Sequence, residues 1–177
     1  YQNLLVADYL VTGFINQIAT FSKPSSEYVQ KAYEVLCGFG KQELFNKQID
    51  QLSSGERQIV MIARVLLQNP EIIIVDEPTA NLDGKNQIAV LDQIQALSSK
   101  GYTVLVTTHN PGHAYSMGGK TLMMGKGKYC FGNTCEVITE QTLSEYYELD
   151  VTMQSAKDFR CMIFQNSDSN SGVKLVF

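Results

Sequence analysis

The run Ile72-Ile73-Ile74-Val75 narrows most what this chain can fold into. Consecutive β-branched residues are stiff at the first side-chain torsion and suit a strand. A short, unbroken apolar run of this kind predicts a strand buried on both faces, as in a parallel sheet. Before it lies a strongly helical stretch, Glu56 to Gln68, closed by Asn69-Pro70. After it, from about Lys85 to Ser99, a helix carries Ile88, Val90, Leu91, Ile94 and Leu97 and ends at Gly101. Tyr102 to Thr107 then reads as a second buried strand. Helix, strand, helix, strand in that order predicts an α/β domain with a parallel sheet.

Composition bounds the class. A length of 177 residues suits one domain of ~100–200 residues. With 14 Lys+Arg against 18 Asp+Glu, the net charge is −4. That balance leaves no global electrostatic footprint for nucleic acid or an anionic membrane, so no nucleic-acid partner is expected. The longest apolar runs fall well short of the ~20 residues that span a bilayer. No basic stretch followed by an apolar run and a cleavage site opens the chain, so no signal peptide is read. Residue 1 is Tyr rather than Met, which leads us to expect a chain cut from something longer. Cys37, Cys130, Cys135 and Cys161 are spaced irregularly. A zinc site wants two close Cys/His pairs, so ordinary reduced thiols in a cytosolic compartment are expected.

The flanking segments are read more coarsely. Val6 to Gly13 is a short helix or an extended segment. Ser25 or Ser26 caps a helix with Val29, Ala32, Tyr33, Val35 and Leu36 on its apolar side, stopping at Gly38 or Gly40. After His109 the pattern changes. Thr121 to Met124 and Lys128 to Phe131 form a hairpin around Gly125-Lys126-Gly127, and Thr142 to Leu149 a short helix. Arg160 to Gln165 and Val173 to Phe177 form a second hairpin, joined by a polar loop.

Four elements carry chemistry. The strand Ile72 to Val75 ends in Asp76-Glu77-Pro78, and the C-terminal edge of a parallel sheet is where α/β folds bind ligands. Asp76 there suits Mg²⁺, directly or through water. Glu77 lies on the other side of the strand, placed to polarise an attacking water. The second strand ends in Thr108-His109, which puts His109 on the same sheet edge, where an imidazole can contact a terminal phosphate. Ser53 or Ser54 caps the next helix, Glu56 falls in its first turn, and Gly55 lets backbone approach a ligand closely. A helix N-terminus of this kind attracts phosphate. Last comes the tight segment Pro78 to Asp83. Taken singly, each is as readily a strand end, a polar-loop histidine or a plain capped helix.

Their order is more specific. Leu52-Ser53-Ser54-Gly55-Glu56, a helix, four apolar residues with Asp76-Glu77-Pro78-Thr79, then Asn81-Leu82-Asp83, then a strand ending in Thr107-Thr108-His109 resembles the ATP-binding-cassette (ABC) ATPases, from about Val6 to Met153. The resemblance implies a partial P-loop NTPase-like α/β core with ATP and Mg²⁺ as cofactors. Leu52 to Glu56 would be the signature loop, with Ser53, Ser54, Gly55 and Glu56 at the nucleotide, joined by Asp83 of the D-loop (Ala80 to Asp83). Ile72 to Asp76 would be the Walker B strand with Asp76 at the metal, Glu77 the catalytic glutamate and His109 the switch histidine. Residues 1–153 would be a partial nucleotide-binding domain. Within it, a helical subdomain would span about 14–70, with Glu27 to Gln51 facing membrane permease subunits, and the Walker B, D-loop and H-loop core about 71–125. Residues 154–177 would be an extension forming a β-hairpin. The family sandwiches ATP in a head-to-tail dimer, so a second nucleotide-binding domain is implied. Ser54 departs from the family's usual glycine, but it is small and keeps its backbone N–H.

The family's phosphate loop, Gly-x-x-x-x-Gly-Lys-Ser/Thr, is not found. Ala114 to Thr121 fits a relaxed version, but a Pro-Gly loop precedes it and a strand, not a helix, follows it. Gln2 lies too close to Val6 to be the Q-loop glutamine. The expectation is the C-terminal part of a nucleotide-binding domain that neither binds ATP tightly nor hydrolyses it alone. Val6 to Gly13 and Gly132 to Tyr147 look like importer ATPases for iron–siderophore, haem and cobalamin, held at the cytoplasmic membrane face by their permease. A non-transport ABC ATPase, and a half-domain lending its signature loop to a partner, remain as alternatives.

Overall fold

Local signals in the sequence account for most of the elements. The computed structural model describes residues 3–15, 17, 23–125, 127–156, 159–165 and 175–176. It divides into two compact units between Thr107 and Thr108. The expected boundary at 153–154 instead falls within a strand, Asp150–Ala156.

The first unit opens with helix α1, Val6–Val11, and a 3₁₀ turn, Thr12–Phe14. Thus Val6 to Gly13 is helical rather than extended. Helix α2, Ser26–Gly38, follows, with Ser25 at its N-cap position. Helix α3, Ser54–Leu66, buries Ile59, Val60, Ile62 and Ala63, and both α1 and α2 pack against it. Arg64 on α3 donates to the Thr12 hydroxyl at 2.6 Å and lies 5.1 Å from the centre of the Tyr9 ring. Asn69 ends the stretch in the left-handed region, at φ 51°, a conformation that asparagine tolerates.

Strand β1, Ile72–Asp76, helix α4, Gly84–Ser99, and strand β2, Thr103–Thr107, complete this unit. Gly101, at φ 93°, turns the chain after α4, and the Tyr102 N–H closes onto the Leu97 carbonyl. β1 and β2 pair in parallel, with Ile72 opposite Thr103 and Asp76 opposite Thr107. The α/β reading holds here. The expectation of strands buried on both faces does not. Ile73 and Val75 are buried, but Ile72 and Ile74 are 59% and 69% exposed and Leu105 is 56% exposed. Among the described residues β1 pairs with β2 alone, and one face of this two-stranded sheet is uncovered.

The second unit begins with helix α5, Pro111–Met117. The Pro-Gly pair expected in a loop is therefore helical. Pro111 occupies the first turn, where a missing N–H costs nothing, and the Asn110 side chain accepts from Gly112 and His113 N–H groups. Strands β3, Lys120–Gly125, and β4, Lys128–Asn133, form the expected hairpin. Lys126 in its turn, and the polar loop 166–172, lie outside the described residues. Helices α6, Thr134–Val137, and α7, Glu140–Tyr147, precede an antiparallel sheet of β5, Asp150–Ala156, β6, Phe159–Gln165, and β7, Leu175–Val176. Ile138, Leu143, Val151, Met162 and Phe164 form its core. Among the described residues no helix is long and apolar enough to cross a membrane.

Candidate functional site

The C-terminal ends of β1 and β2 carry the first cluster. Parallel register sets Asp76 directly opposite Thr107. The Thr107 hydroxyl donates to Asp76 Oδ1. The Glu77 N–H donates to the Thr107 carbonyl at 3.1 Å and to its hydroxyl at 3.2 Å. Glu77 itself has φ 44°, an uncommon left-handed conformation for a residue with a long side chain. The chain therefore leaves the strand abruptly at Glu77, and Asn81, at φ 60°, bends it again before Asp83. Between them the Ala80 N–H reaches the Glu77 carbonyl and the Leu82 N–H reaches that of Thr79, tightening the loop.

Asp76 is an exposed, hard oxygen donor at a strand end. Among the described residues there is no group of three or more His, Cys, Asp or Glu side chains able to cage a metal. The exposed Asp76 carboxylate is by itself a donor that fits Mg²⁺, which keeps much of its shell as water and phosphate and takes only one or two carboxylates from the protein.

Two helix N-termini carry the second cluster. Ser53 caps α3 through a reciprocal box. The Glu56 N–H donates to the Ser53 hydroxyl at 3.2 Å, and the Ser53 N–H donates to the Glu56 carboxylate at 2.9 Å. That backbone N–H is the main cause holding the Glu56 carboxyl below its usual range. Partial burial pushes the other way, while the Ser53 hydroxyl and Lys47, whose ammonium lies 3.8 Å away, add to the lowering. Asp83 caps α4 by accepting from the Asn86 N–H at 2.9 Å and from the Asn86 side-chain amide at 3.0 Å. The two termini meet at Gly55: a Cβ placed there would come within 2.9 Å of the Asn86 Oδ1 and 3.1 Å of its Cβ. Ser53, Ser54, Gly55, Glu56 and Asp83 thus belong to one neighbourhood, and the loop from Glu77 to Leu82 ties it to the first cluster.

His109 belongs to the second unit and is exposed. Its carbonyl accepts from the Tyr147 hydroxyl at 3.2 Å, and the Tyr147 ring meets Phe164 edge-on. The stretch resembling a relaxed phosphate loop, Ala114 to Thr121, runs from the end of α5 into β3, so a helix precedes and a strand follows. That context is the reverse of what a phosphate loop needs.

Thr107, Asn86 and Tyr147 were not legible as site residues. Asp83 and Asn86 do carry a signal, a cap followed three residues later by an amide. Thr107 and Tyr147 act through partners 31 and 38 residues away, which no local pattern records.

The chain's likenesses agree with this arrangement. Residues 3–80 match the family model described as ABC transporter. The molybdate import ATP-binding protein MolC of Haemophilus influenzae is 34% identical over 153 residues, 86% of this chain and 60% of that protein. A probable iron chelatin transport ATP-binding protein of Helicobacter pylori is 32% identical over 149 residues, 82% of this chain and 58% of that protein. A solved structure described as the inward-facing conformation of a metal-chelate type ABC transporter aligns with TM-score 0.82 at 30% identity, covering 97% of this chain and 66% of that one. The chain spans about half to three fifths of the length of the curated relatives that it matches.

Proposed function

The chain belongs to the ABC transporter ATP-binding family, and from that premise we propose that it is the signature-loop and Walker B portion of the ATP-hydrolysing subunit of a metal-chelate importer. One observation carries this reading: Asp76 and Thr107 stand in register at the C-terminal ends of parallel strands, with Glu77 next in line. Asp76 is the residue that would hold Mg²⁺. Bound there, Mg²⁺ would neutralise charge on the transferring phosphate. Glu77 orients the attacking water and takes its proton. His109 contacts the terminal phosphate. The α3 N-terminus, the positive end of its helix dipole, receives phosphate from an ATP held by a second nucleotide-binding domain, in a head-to-tail dimer with Asp83 at the interface. The helical subdomain, about 14–70, faces the permease on the cytoplasmic side of the membrane. Metal-chelate cargo, such as an iron-siderophore, haem or cobalamin, is favoured because the structural relative is described as metal-chelate type and one sequence relative as an iron chelatin transporter.

The test is MgATP hydrolysis by the full product of the reading frame that encodes this chain, beside calorimetry of the 177-residue chain itself. We expect turnover and co-purification with a permease for the former, and no micromolar ATP binding for the latter. Micromolar binding by the 177-residue chain overturns its inactivity. A full product that does not co-purify with a permease overturns the transport role.

A further inference from the structure

We propose that Thr107 is a positioning residue for the carboxylate pair, acting through its hydroxyl; for its effect on metal binding this rests on the function proposed above. A threonine hydroxyl has one proton and can both donate and accept. Here it accepts from the Glu77 N–H at 3.2 Å, which leaves its proton to point elsewhere, and that proton goes to Asp76 Oδ1. A single oxygen atom therefore sets two things. It fixes one oxygen of Asp76, so that the other remains as the donor to a cation. It also supplies the second of two acceptors to the backbone N–H of Glu77, the residue held at φ 44°.

The arrangement follows from register. Asp76 and Thr107 are a directly opposed pair, and their side chains leave the same side of the sheet. A β-branched residue holds the hydroxyl in few rotamers, which serine would do less well and valine not at all. Second-shell partners of metal-ligating carboxylates orient their ligands, and their loss costs metal affinity about 10–100-fold.

The experiment compares Thr107→Val and Thr107→Ser in the full product of the reading frame. Valine keeps the β-branch and the volume, so the exposed strand position remains suited to folding. The first readout is hydrogen exchange at the Glu77 amide in nucleotide-free protein. We expect faster exchange in Thr107→Val and exchange near wild type in Thr107→Ser. The second is Mn²⁺ binding in the presence of ATP, read by electron paramagnetic resonance. We expect Thr107→Val to weaken it about 10-fold, Thr107→Ser to restore most of the loss, and metal-free ATP binding to stay unchanged. Equal Glu77 exchange in wild type and Thr107→Val overturns the proposal, as does a serine variant no better than the valine one. If the wild type itself fails to bind Mn²⁺ with ATP, the proposed function falls, while the exchange comparison still decides the role of the hydroxyl.

Discussion

Gly55 at the start of α3 lies against Asn86 at the start of α4, so closely that a methyl group on Gly55 would come within 2.9 Å of the Asn86 amide oxygen. That amide cannot easily yield, because its nitrogen is held by Asp83. Alanine otherwise favours helix over glycine by up to ~1 kcal/mol, so contact and propensity oppose each other. Contact should win: Gly55→Ala is expected to cost ~1–3 kcal/mol, the usual range for overpacking. Adding Asn86→Ala should recover most of it. Urea denaturation of the four members of this double-mutant cycle measures the coupling.

The Ser53–Glu56 box makes stability depend on pH. The folded-state carboxyl of Glu56 lies below its ordinary value, so its contribution is complete above the unfolded value of ~4.3. It is lost as pH falls through the folded value. Ser53→Ala should cost ~0.5–2 kcal/mol at neutral pH but, since it keeps the backbone N–H that chiefly lowers the Glu56 carboxyl, should retain most of the acid-side decline in melting temperature, which Glu56→Gln should flatten. Thermal melts of wild type and both variants between neutral and acid pH give the comparison; an acid-side slope unchanged in Glu56→Gln would place the pH sensitivity elsewhere.

Glu77→Gln in the full product should abolish turnover, by at least ~10²-fold if proton acceptance is its work, while nucleotide binding persists. Steady-state hydrolysis and equilibrium binding of a fluorescent ATP analogue separate the two. Unchanged turnover would remove Glu77 from its proposed role.

The exposed strip of Ile72, Ile74 and Leu105 should make the 177-residue chain self-associate with rising concentration. Ile74→Thr combined with Leu105→Thr should lower both light scattering and binding of a hydrophobic dye, with far-UV circular dichroism preserved because threonine suits a strand. Scattering that persists at the wild-type level would assign association to another surface, such as the exposed Leu122, Met124, Tyr129 and Phe131 of the β3–β4 hairpin.

What the sequence discloses is local. Ile72 to Val75 declares a strand by side-chain shape, Ser53 marks the start of α3 by its capping chemistry, and Asn69-Pro70 closes the stretch after its end. The same run misleads about burial, since covering a face needs a neighbour that four residues cannot specify. Pro111-Gly112 reads as a loop until Asn110 is seen to cap α5 from outside it. β5 escapes because Thr152, Gln154 and Ser155 dilute its pattern, and its existence depends on pairing with β6. Asp76, Glu77 and the α3 cap are legible because their residue types advertise their chemistry. Thr107 is silent, since its importance arises from register across the sheet.

The alternation of β1 has one more effect. Ile72, Ile74 and Asp76 project from the same side, as do Leu105 and Thr107 on β2. The carboxylate is thus the polar end of an otherwise oily stripe. Any layer that settles on the stripe drives water from Ile74 and from the flank of Asp76 in one event. Moving a charge pair from bulk water to a protein-like permittivity of about 20 strengthens its attraction roughly fourfold. In the proposed role of Asp76 as a cation ligand, its grip would therefore be set in part by how well two isoleucines and a leucine are kept dry.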